Sequence, residues 1–163
     1  MGRLERNIGY SILTKLAGAN STAVAAGSGD ATEINGDSIQ RSTLGSMYLS
    51  AQLAVQWRTT LASGATMTVA ANIQDSADNV SWVDFNAAAS GFGGSSELTA
   101  AVVATGPSGG GEVVGETYLD VDLSGARDYV RAQYTPNLSA GSTDTAILSA
   151  AIVFGGAENG PAA

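Results

Sequence analysis

The sequence predicts an all-β protein, an antiparallel β-sandwich or jelly roll of about seven or eight strands with extended N- and C-terminal arms. Three observations predict it. Apolar residues recur with a period of two in one short run after another, and no run sustains the 3.6-residue period of an amphipathic helix. Glycine-rich and Asn/Asp-bearing turns divide those runs, with 21 glycines in 163 residues. The final long run, Thr145 to Phe154, is apolar on both faces, as a central or covered strand requires.

In chain order, residues 1–32 read as an N-terminal extension or arm rich in Ala, Gly, Ser, Thr and Asn. It carries a short apolar patch at Tyr10, Ile12, Leu13 and Leu16. Residues 33–154 form the sandwich body and residues 155–163 a small, polar C-terminal tail. Ile34 to Ile39 contains an Asn-Gly pair that favours a tight turn or short edge strand. From Met47 to Trp57 the alternation predicts Met47, Leu49, Ala51, Leu53, Val55 and Trp57 inside, with Tyr48, Ser50, Gln52, Gln56 and Arg58 outside. Ser63-Gly64 supplies a turn, since glycine accepts positive φ. The next strand places Met67, Val69, Ala71 and Ile73 inside and Thr66, Thr68, Asn72 and Gln74 outside.

Residues 86–97 read as a loop with Phe92 as its one large apolar side chain. Leu98 to Thr105 reads as a short buried strand, and Pro107 to Gly111 as an exposed tip. Two alternating strands follow, one carrying Leu119, Val121 and Leu123, the other Val130, Ala132 and Tyr134. The two-faced strand Thr145 to Phe154 closes the body.

A chain of this length buries roughly 70% of its unfolded surface, enough for one domain with its own core. Small residues dominate, and only 3 Phe, 5 Tyr and 2 Trp supply bulk. Such a thin core is expected to gain stability from partner subunits. Cysteine and histidine are both absent. This removes disulfides, thiolate nucleophiles, the common Ser-His-Asp triad and the preferred zinc ligands, and it leaves carboxylate chemistry or oxygen-ligated divalent cations.

Net charge is −8, from 15 acids and 7 bases, a sign that repels phosphate backbones and argues against nucleic-acid binding. The sign is uneven. Arg3, Arg6 and Lys15 against Glu5 give residues 1–15 a local +2, whereas the remainder holds 4 bases and 14 acids. A basic arm on an acidic body suits docking on an acidic neighbour, a second copy included, with a solvated tail of ordinary charges as the alternative. No apolar run approaches the roughly 20 residues that span a membrane, and the N-terminus does not read as a signal peptide.

Asp75, Asp78 and Asp84 fall within ten residues and raise the question of a Ca²⁺ loop. The segment lacks the glycine and terminal glutamate of an EF-hand, so turn chemistry is the expected role. Trp82 is expected to cap the core, with a sugar-stacking platform as its alternative, and Trp57 is expected in the core. Glu112, Glu116, Asp120, Asp122 and Asp128 are numerous enough for a glycosidase pair. Alternation instead sets Glu116, Tyr118, Asp120 and Asp122 on one face as a solvated or subunit-facing row, which Arg127 and Arg131 could pair across strands. PSGGG at 107–111 and GFGG at 91–94 lack the residues of phosphate or dinucleotide loops.

The order INGDSIQR, an alternating strand, a glycine turn and then MTVAANIQDSADNVSWVDF resembles a group of small virion proteins of tailed bacteriophages. In these a G-x-x-I-x-R segment precedes a strand and a Q-x-S-x-D-x-x-x-W-x-D-V segment forms a hairpin. The matching positions are Gly36, Ile39 and Arg41, then Gln74, Ser76, Asp78, Trp82 and Asp84, with Phe85 where the pattern often has Val. The likeness covers residues 34–85, about a third of the chain.

The resemblance implies a head-decoration (cement) protein on the capsid surface, or a related head or tail accessory component. Its partners would be the major capsid protein and copies of itself, as a homo-oligomer and by preference a trimer. It would be made in the host cytoplasm and reside in the virion, with no catalytic residue, metal or cofactor and no nucleic acid or membrane bound. Arg3, Arg6, Tyr10, Ile12 and Leu16 are the expected capsid or subunit contacts. A carbohydrate-binding sandwich using Trp82, Tyr118 or Tyr129, and a carboxylate hydrolase, are the alternatives from other classes.

Overall fold

The structure is a computed structural model that describes residues 12–85, 97–139 and 143–157. It is built from strands β1 (Leu13–Val24), β2 (Ile34–Asn35), β3 (Ile39–Gln40), β4 (Tyr48–Leu61), β5 (Thr66–Ser76), β6 (Val83–Asp84), β7 (Glu97–Thr105), β8 (Gly111–Asp122), β9 (Tyr129–Leu138) and β10 (Thr145–Ala157). One turn of 3-10 helix, Arg41–Thr43, joins β3 to the chain leading into β4. The first sheet has the order β1-β10-β4-β8. The second has the order β2-β9-β5-β6, with β3 also on β9 and β7 also on β5. Every pairing is antiparallel. The chain is an all-β sandwich, as the period-two patterning predicted.

The two sheets bury one shared core. Leu53, Val55 and Trp57 of β4 and Leu148, Ile152 and Phe154 of β10 face Met67, Val69 and Ile73 of β5 and Val130 and Tyr134 of β9. Each large aliphatic side chain withdrawn from water contributes about 1.5–3 kcal/mol. Alanines 17, 19, 23, 132 and 146 fill the rest, which lets the sheets approach closely but leaves few bulky anchors.

Several expectations change where a strand is distorted or doubly covered. Tyr48 is buried while Met47 and Leu49 are exposed, because the alternation slips before Ala51 and turns the Tyr48 ring inward against Phe154, with ring centroids 6.0 Å apart. β4 also runs through Thr59 and Thr60 to Leu61, so the turn at Gly64 (φ +73°) is tighter than the sequence suggested. Asn72 and Gln74 are buried, since β5 is central and side chains of β9 and the β5–β6 hairpin cover its outer face.

Leu98 to Thr105 is a strand, but an edge strand with most side chains exposed. Residues 13–24 of the expected extension form a full strand, held between β10 and the segment after β2. β10 likewise continues into the expected tail, as far as Ala157. Gly36 does not take the positive φ of an Asn-Gly turn. It is required for close approach instead, because a Cβ there would collide with the Ala17 carbonyl oxygen.

The residues of the virion-protein pattern turn out to be structural ties. Ile39 is buried and Gly36 donates its N–H to the Ala132 carbonyl at 2.8 Å. Arg41, 4% exposed, donates to the carbonyls of Ala126, Arg127, Tyr48 and Leu123, so one guanidinium fastens the approach to β4 onto the loop between β8 and β9. Burial lowers its pKa, and Asp128 and Asp75 oppose that shift. In the hairpin, Gln74 Nε2 donates to Asp84 at 2.8 Å, and Arg131 donates to Gln74 Oε1 at 2.6 and 2.8 Å while stacking on Trp82.

Asp78 accepts hydrogen bonds from the Ser81 and Val80 amides and from the Ser76 hydroxyl, and these hold its carboxyl well below the usual range. A pKa depressed on folding contributes stability that is full above the unfolded value of about 3.9 and is lost as pH falls toward the folded value. Asp78→Asn should therefore melt below the wild type at pH 7, with the gap narrowing below about pH 4. Melting curves across pH check this, and a gap that does not change with pH would refute it.

Candidate interface

β10 lies between β1 and β4, as its two apolar faces required. Its inner face is core, but among the described residues nothing covers its outer face. The pairing register sets the side chains of that outer face in rows. One row runs Leu16, Ala151, Ala54, Tyr118, and another Thr22, Ile147, Arg58, Val114. Leu16 is 84% exposed, Val114 65%, Ile147 60% and Tyr118 59%. Between these two rows lies a polar one, Asn20, Ser149, Gln56 and Glu116, so the exposed apolar side chains stand in two separate groups on one face.

At the Tyr48 end of the sheet the face dips into an open groove of about 860 Å³, whose lining includes Ile12, Leu49, Gln52, Asp120, Asp122 and Val153. The rim is acidic. Asp122 is held below its ordinary pKa by the Ser124 amide, and Asp120 accepts from Gln52 Nε2 at 2.8 Å. Glu112 is paired with Arg58 at 2.5 Å. The expected acidic row of β8 is thus exposed, but Arg127 and Arg131 do not serve it, because β9 belongs to the other sheet. Arg127 approaches Asp75 at 3.6 Å, and Arg131 is engaged with Gln74 and Trp82.

Of the contacts expected from the sequence, Ile12 and Leu16 both reach this face. Ile12 lies in the groove at 41% exposure and Leu16 stands on β1. Arg3, Arg6 and Tyr10 lie outside the described residues, as do Phe92 and the GFGG segment. Tyr118 is exposed, as its place in the solvated or subunit-facing row predicted, whereas Ile147 and Val114 were not singled out as contacts. The signal for Ile147 was present in the two-faced pattern of β10, which demanded either a central position with cover or an open apolar face.

The other candidate chemistry disperses. Asp75, Asp78 and Asp84 are each committed to different partners, namely Arg127, the turn amides and Gln74. Among the described residues no group of three or more acidic side chains converges in a metal-like cluster. Trp82 does not cap the core. It is half-buried on the outside of the second sheet, with the Arg131 guanidinium 4.5 Å from its ring centroid. Trp57 is in the core, 7% exposed, as expected.

Fold and face together define an all-β sandwich whose first sheet exposes Leu16, Val114, Tyr118 and Ile147 on its outer side. No protein-family model matches the chain, and no curated protein matches it in sequence. Among solved structures it is similar to the PBSX exported protein XepA, at 12% identity and a TM-score of 0.45, over 93% of this chain and 39% of that one. It is also similar to VP2 of the infectious bursal disease virus subviral particle, at 12% identity and a TM-score of 0.42, over 92% and 34%. A family 29 carbohydrate-binding module from Piromyces equi is similar at 9% identity and a TM-score of 0.36, over 89% and 92%. The chain spans less than half the length of the first two, and no activity or partner is taken from any of them.

Proposed function

We propose that this protein is a structural component of a bacteriophage virion that decorates and stabilises the capsid from outside, binding through its N-terminal arm and the open face of the first sheet. The observation that carries the reading is that face, with Leu16, Ile147, Val114 and Tyr118 exposed in register on a sheet whose other side is a complete core. The hairpin and arginine ties explain why the matched residues recur together without any catalytic role. A decorating protein needs a rigid brace and an adhesive surface, and many weak contacts multiplied over a shell give tight attachment. The partners are the major capsid protein and further copies of this chain, and the reading includes no catalytic step.

The test is occupancy on purified particles, read by electron microscopy. Leu16→Asp combined with Ile147→Asp should cut binding about a hundredfold or more, because two buried apolar contacts are lost, and should leave thermal unfolding unchanged. Deleting residues 2–11, which precede β1, should act in the same direction. Undiminished occupancy by both variants would sink the proposal. Saturable glycan binding that Tyr118→Ala abolishes would replace it with the carbohydrate-binding reading.

A further inference from the structure

A sandwich of two open sheets has free strand edges, and exposed edges usually carry devices that block pairing with another chain. Among the described residues every edge but one is broken, covered or very short. β1 has a register break between Leu16 and Asn20, an exposed Lys15, and cover at its bulge, where Ala17 and Ala19 carbonyls accept from the Asp37 amide and the Tyr134 hydroxyl. β7 pairs with β5 through two register breaks. β2, β3 and β6 are two residues long.

β8 carries charge, in four carboxylates, but it is long and unbroken. It pairs with β4 through twelve consecutive residues without a break, and it contains no proline, lysine or arginine. Among the described residues no strand pairs with its other edge. Its outward side chains run Glu112, Val114, Glu116, Tyr118, Asp120 and Asp122, and the ion pair described on it is Arg58 to Glu112.

We propose that this edge receives residues 3–10 of a second copy as an added antiparallel strand. The chain's own net positive segment is there, and its alternation complements β8. With Arg6 opposite Glu116, Ile8 falls opposite Val114 and Leu4 opposite Tyr118, giving one charge pair between two apolar pairs. A second β8 in the register that sets Val114 opposite Tyr118 would instead put Glu116 against Glu116 and Glu112 against Asp120.

The donor is a second molecule for reasons of reach. Ile12 lines the groove from the β1 side and Asp122 from the β8 side, across β10 and β4, and Val114 lies eight residues further along β8, roughly 27 Å beyond Asp122. Ile8 is four residues from Ile12 and can extend only about 14 Å. The inference does not depend on the capsid role, since it concerns the purified protein alone.

The test is sedimentation of the full-length chain across concentration, for wild type, Arg6→Glu, Glu116→Arg and the double exchange. Wild type should self-associate, each single variant should associate about tenfold more weakly, and the double variant should recover. Unchanged melting of the exposed Glu116→Arg variant confirms an intact body. A chain that stays monomeric throughout, single variants that associate like wild type, or a double variant without recovery would overturn the proposal. An edge that becomes protected from hydrogen exchange only on phage particles would assign it to another protein.

Discussion

Arg41→Ala is expected to destabilise the sandwich by about 3–5 kcal/mol, the cost of removing one partner from a buried, charge-assisted network. The guanidinium bonds four carbonyl oxygens drawn from two segments more than 70 residues apart in sequence. Alanine would leave those oxygens without donors, in a place where water enters only if the segments separate. Arg41→Lys should recover less than half of the loss, because an ammonium lacks the planar fork that reaches several acceptors at once. Urea denaturation measures both, and a loss under about 1 kcal/mol for alanine would show that the loop holds without this tie.

Phe154→Ala should cost a comparable amount, about 3–5 kcal/mol. Phe154 is fully buried, and the Tyr48 ring leans on it at an interplanar angle of 48°. Side chains in a close-packed core relax only partly into a space of that size. The cavity should therefore persist, and Tyr48 should lose its inward anchor. Phe154→Leu should restore most of the stability. Equal losses for leucine and alanine would mean that ring packing, and not volume, sets the energy.

Much of this fold was legible in the residues. Period-two alternation located the long strands, and the Met67, Val69, Ala71, Ile73 face is buried as read. Where the reading failed, a tertiary partner decided. Tyr48 and Leu49 exchanged faces because Phe154, distant in sequence, offered a ring to pack on. Gln74 was read as solvent-facing because alternation cannot foresee Arg131 closing over it from β9. β1 was read as loose extension because alanine, glycine and serine carry little strand signal on their own, and its strand identity comes from β10.

The interface was half legible. Ile12 and Leu16 stood out as apolar residues in a polar segment, whereas Val114 and Tyr118 joined them only once the register aligned four strands. The acidic row of β8 was visible in the sequence, but the engagement of Arg127 and Arg131 on the other sheet was not, because sheet membership is not written locally.

The position of β10 also governs when the protein can come into being. It is the last of the ten strands to be synthesised, yet it lies inside the first sheet, with β1 on one side and β4 on the other. Until it emerges from the ribosome, β1 has no partner in its sheet, and contacts spanning most of the chain remain unmade. Such non-local closure places folding in the slow, millisecond-to-second class and makes it a late event in translation. The outer face to which the proposal assigns binding needs β1 and β10 side by side, so it is absent from every chain that still lacks β10.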